Sequence, residues 1–171
     1  GSDLSARDVV FSEAGIRFTL VRRRELLGEL HLKVFGRHNL LNAMAACACG
    51  FELGVPFDII KRSLSRFVNA ARRLEWKGEK GGAVWMDDYG HHPTEIRATL
   101  SALGQKFPDR RRVVLFQPHR YTRTKILLGD FGKCFDDADE VLLLPIYAAS
   151  EVPIPGVESG KIAALLKKRN V

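Results

Sequence analysis

The stretch that decides the fold of this chain reads Trp85-Met86-Asp87-Asp88-Tyr89-Gly90-His91-His92-Pro93-Thr94-Glu95. The short apolar run that leads into it, residues 83–86, predicts a buried strand. Pro93 then begins a helical pattern, because proline at the first helical position sacrifices no hydrogen bond. The carboxylates, the phenol and the imidazoles therefore lie in a strand-to-helix turn, which is where open α/β sheets bind their ligands.

A second turn of the same kind follows the apolar run 112–116 and reads Gln117-Pro118-His119-Arg120-Tyr121-Thr122-Arg123. A third apolar run, residues 141–144, leads to Tyr147. Adjacent parallel strands end at the same edge of a sheet, so we expect these polar segments to face one crevice.

The second half of the chain predicts an α/β fold. Its strands alternate with three predicted helices, at residues 93–107, 125–135 and 160–169. Such alternation is typical of βαβ units and predicts a Rossmann-like, mostly parallel sheet.

The first half has a different pattern, with a small antiparallel β layer over residues 9–34 followed by two helices. The polar, glycine-rich run 77–82 is typical of a connector. We therefore expect one domain at residues 1–75 and a second at 76–171.

The chain has a formal net charge of +7 and a pI near 9.6. This balance favours anionic partners, either nucleic acid or phosphorylated small molecules. No apolar run reaches the ~18 residues of a membrane span, and no signal peptide follows Gly1-Ser2, which resembles the remnant of a cleaved tag. We therefore expect a cytoplasmic protein with no membrane partner.

The three cysteines are Cys47, Cys49 and Cys134. Cys47 and Cys49 lie two residues apart in an alanine-rich helical pattern, so they point to different faces and lack the spacing of metal ligands. Free, buried thiols without a functional role are the expectation.

The helical pattern that begins near His38 carries two asparagines in its first turns, Asn39 and Asn42. Asn39 suits a helix N-cap. A cap does not explain Asn42 on the same face, and two neighbouring amides also suit the donor–acceptor edge of adenine. Both interpretations stay open. Arg72 and Arg73 lie at an element junction and are either solvated or a phosphate clamp.

The histidines His91, His92 and His119 share the strand-end segments with Arg120 and Arg123. A zinc site would draw on histidine and aspartate ligands, but arginines repel a cation and instead favour a carboxylate or phosphate ligand. Nucleic acid binding is the alternative from another class. It is disfavoured because the basic residues scatter over 22–24, 110–112 and 167–169 without interleaved aromatic residues.

Four blocks, in order and spacing, carry a resemblance to the Mur ligase family. They are His38-Asn39-x-x-Asn42-x-x-Ala45-Ala46, Phe67 with Arg72-Arg73, the Asp87–Glu95 block and the Gln117–Arg123 block. The resemblance covers residues 8–171. One departure is Asn69, which stands where the family usually has glycine before the arginine pair.

The resemblance implies the end of a central ATPase domain followed by most of a Rossmann-like C-terminal domain. The sequence contains no Walker A motif. We therefore expect the chain to need the rest of its own polypeptide for activity. The resemblance also implies ATP and Mg²⁺ as cofactors, with the metal ligands outside this chain.

The implied activity is the ATP-dependent addition of L-alanine to the carboxylate of UDP-N-acetylmuramate through an acyl phosphate, in peptidoglycan precursor synthesis. A related ligase that joins a recycled tripeptide to the same sugar is the alternative. In this scheme the partners are small molecules, not nucleic acid.

The resemblance also assigns roles to single residues. Those expected at ATP are His38, Asn39, Asn42, Arg73, Asp87 and Asp88, with Asp88 preferred over Asp87 at the ribose. Those expected at the substrates are Tyr89, His91, His92, His119, Arg120 and Arg123. Those expected to be catalytic are Arg73, His91 and His119.

Overall fold

The computed structural model describes residues 3–168. The chain divides into two compact units, one comprising residues up to Asp87 with 102–108, the other comprising 88–101 and the residues from Asp109 onward. The elements before Asp88 are β1 (Leu4–Ser12), β2 (Gly15–Arg22), β3 (Glu25–Leu32), α1 (Arg37–Glu52), α2 (Phe57–Arg66), β4 (Glu75–Lys80) and β5 (Ala83–Asp87). Those after it are α3 (Pro93–Lys106), β6 (Val113–Phe116), α4 (Tyr121–Ile126), α5 (Leu128–Phe131), β7 (Glu140–Leu143) and α6 (Ser159–Lys167).

The first unit is built on a three-stranded antiparallel sheet in the order β1-β2-β3. Alternate residues of β2 point into its core, so Ile16, Phe18 and Leu20 are almost completely buried. The core also takes in the buried faces of α1 and α2, including Cys47 and Ile60. The predicted β layer with two helices is confirmed.

The run 77–82 is not the connector that we expected. Most of it belongs to β4, which pairs antiparallel with β5 around Gly81 and Gly82. Both glycines have positive φ, of 60° and 77°, as two-residue hairpin turns require. The low β propensity of glycine, glutamate and lysine hid this strand from the sequence pattern. The expected buried strand at 83–86 is a hairpin strand, and Trp85 is 62% exposed.

The second unit contains a parallel pair, β6 and β7, in register from Val113↔Glu140 to Phe116↔Leu143. Phe116 is buried against Phe131 and Phe135, with ring centroids 5.7 and 5.4 Å from its own. The mixed α/β class is confirmed, with parallel pairing for two of the three expected strands.

The helix expected at 125–135 is two short helices, α4 and α5, which meet at Leu127. Gly132, which has low helix propensity, is the C-cap that ends α5 at Phe131. Helix α6 ends at Lys167, and residue 169 of its expected span lies outside the described residues. None of the described helices is long and apolar enough to cross a membrane.

Cys47 and Cys134 are buried, as predicted, but Cys49 is exposed. Two residues along a helix rotate a side chain by about 200°, so Cys49 faces away from the core that holds Cys47. Burial raises the pKa of Cys47 to about 11 and that of Cys134 to about 12. These two thiols therefore stay protonated.

Candidate functional site

Within the second unit, the ladder between β6 and β7 continues past the strand ends and brings His119 beside Tyr147. The two residues form a parallel bridge. The backbone N–H of Arg120 donates to the Tyr147 carbonyl at 2.8 Å, and the N–H of Tyr147 donates to the Pro118 carbonyl at 2.8 Å. Pro118 is fully buried, which anchors this turn to the core.

Four rings of this unit form a continuous row, which we call the ring row: Tyr89, His91, His119 and Tyr147. The centroid of His91 lies 5.2 Å from that of Tyr89, in an edge arrangement, and 5.7 Å from that of His119. The centroid of His119 lies 5.5 Å from that of Tyr147. The polar segments expected to share a crevice are therefore in contact at these residues.

His119 is held by Arg123. One guanidinium N–H, at Nη1, lies 3.2 Å from Nδ1 of the imidazole. Since arginine only donates, Nδ1 accepts and the proton of the neutral ring lies on Nε2. Burial lowers the pKa of His119, and the charges of Arg123, His91 and Arg120 lower it further, against an opposing effect of Glu151. A pKa below the usual value of about 6.5 keeps this ring neutral at pH 7.

His91 has the opposite tautomer. Its Nδ1 lies 3.0 Å from the carbonyl oxygen of Tyr89 and 3.9 Å from the Glu95 carboxylate. Both groups accept, so Nδ1 carries the proton and Nε2 of the neutral ring keeps its lone pair. In the ring row, one Nε2 can thus take up a proton while the other can donate a hydrogen bond.

Glu95 organises the start of α3. Its Oε2 accepts the backbone N–H groups of His91 and His92, at 3.0 and 3.1 Å. In return, Nδ1 of His92 accepts the N–H of Thr94 at 3.3 Å, which makes a reciprocal helix cap. Sequence reasoning missed the capping role of Glu95, although an acidic residue two positions after the proline that opens the helix is the pattern that predicts such a cap. His92 has a capping contact, and its role at a substrate stays a prediction.

The segment that carries Arg120 and Arg123 is held from two sides. Arg120 has a φ of 72°, and its carbonyl accepts both the N–H and the hydroxyl of Thr124, at 3.1 and 2.8 Å. The Glu151 carboxylate accepts hydrogen bonds from Thr122. Sequence reasoning also missed Glu151, because a single glutamate in a loop has no distinctive pattern.

The two aspartates differ. Asp88 accepts the N–H of Gly90 at 2.7 Å through Oδ1, in a local turn that shapes the segment before His91. Asp87 is the last residue of β5 and accepts Nε of Arg72 at 3.2 Å.

In the first unit, the Arg72-Arg73 segment has a folded backbone, with a φ of 58° at Arg72. The N–H of Arg72 donates to the Glu75 carboxylate at 2.7 Å, and the Asn69 amide donates to the Arg73 carbonyl at 2.9 Å. Hydrogen bonds from Lys77 and from Arg72 lower the pKa of Glu75. Asn69 thus stabilises the turn through its side chain, and Arg73 is exposed.

The amides of α1 form a chain. Asn39 donates to the Phe35 carbonyl at 2.8 Å, and Asn42 donates to Oδ1 of Asn39 at 3.4 Å. Asn39 is not the N-cap, because the helix starts two residues earlier and Gly36, with a φ of 88°, occupies that position. The His38 ring lies against Gly36, at 2.8 Å from where a Cβ would stand.

Among residues 3–168, no group of three or more histidine, cysteine, aspartate or glutamate side chains is arranged to hold a metal ion.

The chain is similar to several proteins named as ligases. UDP-N-acetylmuramate–L-alanine ligase from Desulfosudis oleivorans is 52% identical over 162 residues, which is 95% of this chain and 35% of that protein. The enzyme of the same name from Desulfatibacillum aliphaticivorans is 49% identical over 166 residues, 97% of this chain and 36% of that protein. The chain thus spans about a third of the length of these relatives.

Among solved structures, UDP-N-acetylmuramate–alanine ligase from Thermotoga maritima superposes with a TM-score of 0.81 at 30% identity, over 99% of this chain and 36% of that one. A murein peptide ligase from Psychrobacter arcticus, at 24% identity, shares the fold with a TM-score of 0.64, over 98% of this chain and 34% of that one. The family model described as Mur ligase, glutamate ligase domain, matches residues 72–171. This chain belongs to the Mur ligase family.

Proposed function

We propose that this chain is part of an ATP-dependent ligase that joins L-alanine to the carboxylate of UDP-N-acetylmuramate in peptidoglycan precursor synthesis. The observation that carries the proposal is the identity of about half of all aligned residues to relatives of that name over 95% or more of the chain. The contacts among His91, His119 and Arg123 support it.

In the proposed reaction, ATP phosphorylates the muramoyl carboxylate, ADP leaves, and the neutral amine of L-alanine attacks the acyl phosphate. The tetrahedral intermediate collapses with loss of inorganic phosphate. Phosphoryl transfer depends mainly on positioning and on neutralising charge. Arg120 and Arg123 supply positive charge at the strand ends, where it suits the carboxylates and the phosphoryl oxygens.

The attacking amine must lose a proton, and in this scheme Nε2 of His91 accepts it because that atom keeps a lone pair. His119 has the complementary role, since its Nε2–H can donate to a substrate oxygen. The neutral state of His119 suits such a donor and avoids adding a third positive charge beside two arginines.

We also propose that residues of the first unit bind ATP. His38 and the ordered amides of Asn39 and Asn42 suit an adenine edge. The exposed Arg73 suits a phosphate. Asp88, with Asp87 as the less favoured alternative, is proposed for the ribose, as the family resemblance implies. We place the domain boundary near residue 75 and Mg²⁺ on residues outside this chain.

The experiment is an activity assay of the purified full-length protein that contains this chain. We place this protein in the cytoplasm, together with its small-molecule partners. UDP-N-acetylmuramate, Mg²⁺ and ATP are supplied with either L-alanine or the tripeptide of the alternative reaction. We expect phosphate release and a new amide only with L-alanine. Efficient use of the tripeptide instead would favour the muropeptide ligase, and a lack of product with either amine would reject both activities.

A further inference from the structure

Glu151 holds the turn that presents Arg120. Its Oε2 accepts the backbone N–H of Thr122 at 3.0 Å, and its Oε1 accepts the Thr122 hydroxyl at 2.6 Å. Both carboxylate oxygens are thus engaged by one residue at the start of α4. The bonds to Thr122, through its N–H and hydroxyl, lower the pKa of Glu151, so its charge persists at neutral pH.

This turn has a backbone that needs such support. Arg120 has a φ of 72°, and Ala149 and Ser150, just before Glu151, have φ values of 48° and 70°. Residues with a side chain rarely adopt these conformations, and they persist only where the surroundings hold them. The N–H of Glu151 donates to the Ala148 carbonyl at 3.0 Å, which fixes the loop after β7.

The charge of Glu151 also balances this end of the ring row. The groups that face His119 are Arg120 and Arg123 from the α4 side, His91 from the segment before α3, and Tyr147 and Glu151 from the loop after β7. Among those groups, Glu151 is the carboxylate that opposes the positive charges.

We propose that Glu151 is a positioning residue, which holds the Arg120–Thr122 turn and thereby sets the placement of His119 and Arg120 for the amine substrate. The identity of the amine substrate rests on the proposed ligase function, whereas the hydrogen bonds by which Glu151 positions the turn do not depend on that function. A residue that places a binding group acts on the affinity for one substrate, and a small displacement can cost up to about 10²-fold.

The first measurement follows the His119 imidazole by NMR during a pH titration of the 171-residue chain. Glu151→Gln keeps an acceptor oxygen but loses the charge, so the pKa of His119 should fall below its value in the unsubstituted chain. Thr122→Val keeps the charge and loses the hydroxyl bond, so that pKa should change less. Glu158→Ala is the matched control, since Glu158 lies at the N-cap of α6 without a side-chain capping bond.

The second measurement is steady-state kinetics of the full-length enzyme. Glu151→Ala should raise the KM for L-alanine about tenfold or more, within the range that misplacement costs, while the KM for ATP changes little. Glu151→Gln should shift the acidic limb of kcat/KM to lower pH. If Glu151→Ala does not fold, Thr122→Val should show a smaller rise in the same KM.

An unchanged His119 titration in Glu151→Gln, with an unchanged KM for L-alanine in Glu151→Ala or Thr122→Val, would overturn the proposal. Equal losses for ATP and L-alanine would indicate a general structural role and would also overturn it. A full-length protein without ligase activity would reject the proposed function, whereas the NMR result would still decide whether Glu151 positions His119.

Discussion

The loop at residues 69–75 and the loop at 117–123 each carry two arginines, but the surroundings of these arginines differ. In the first loop, Arg72 lies 3.2 Å from the Asp87 carboxylate and donates its backbone N–H to Glu75. In the second, Arg123 contacts His119, and no ion pair to Arg120 is found among the described residues. Positive charge is largely neutralised beside Arg72 and remains available beside His119.

Both loops also contain non-glycine residues with positive φ, among them Arg72 at 58° and Arg120 at 72°. Side chains within the first loop hold its turn, with Asn69 and Glu75 each making a local bond. The second turn depends on residues that are distant in sequence, Tyr147 and Glu151. Arginine content alone therefore does not distinguish an arginine held in a structural ion pair, such as Arg72, from one that can bind a ligand, whereas the counter-ion of Arg72 does.

The largest effect should come from Arg73, the member of the first pair that we propose binds a phosphate. In the full-length enzyme, Arg73→Ala should lower kcat by about 10- to 10³-fold, because a positioned cation acts on charge that develops in the transition state. The melting temperature should change little. Steady-state kinetics and thermal unfolding of the same preparation measure both quantities.

Arg72→Ala is the matched substitution, since it removes the same charge one residue away. It should leave kcat within a few-fold and cost about 0–1 kcal/mol of folding stability, as expected for an exposed ion pair. A loss of stability in Arg73→Ala that matches its loss of activity would assign both arginines to the fold and remove the difference within this loop.

The next effect concerns the second loop. Arg120→Ala in the full-length enzyme should lower kcat/KM for L-alanine or for UDP-N-acetylmuramate by about 10- to 10²-fold, because a charge-assisted contact to a carboxylate is lost. Substrate titrations at saturating ATP identify which substrate is affected. An effect confined to the KM for ATP would place Arg120 at the nucleotide instead.

The sequence was sufficient to predict that the segment 117–123 lies beside Tyr147, because adjacent parallel strands end at the same edge of a sheet. It was also sufficient for the β layer, where the alternation of Ile16, Phe18 and Leu20 predicts a buried face. It failed for β4, whose residues have poor β propensity and pair through a hairpin turn. Contacts such as Glu151 with Thr122 depend on loops that propensity does not describe.

The depressed pKa of His119 gives a smaller, pH-dependent effect on stability. A histidine whose folded pKa lies below its unfolded value of about 6.5 binds fewer protons when folded, so stability falls as the pH drops through that value. The contribution of Glu75 and Glu151, whose pKa values are lowered, is lost only at more acidic pH. The window just below pH 6.5 therefore reports on His119.

His119→Gln should remove part of the stability loss between pH 7 and about 5.5, as measured by urea unfolding of the chain at each pH. His31→Gln, on the exposed side of β3, is the control for loss of an imidazole. An identical pH dependence in the His119→Gln and unsubstituted chains would show that the positive surroundings of His119 do not act on its protonation.

The smallest effect should be on binding to DNA. A net charge of +7 gives any polyanion some salt-sensitive affinity, so weak DNA binding by the chain does not identify a function. If Arg120 serves a small ligand, Arg120→Ala and Arg72→Ala should weaken DNA binding equally and slightly, each lowering the salt slope by no more than about 1. His119→Ala should change it less. Titration of labelled DNA at two salt concentrations tests this, because the comparison holds net charge constant between the two arginine variants. A tight, sequence-dependent complex that is lost with Arg120→Ala and retained with Arg72→Ala would make the second loop a nucleic-acid surface and would reject its assignment to a ligase substrate.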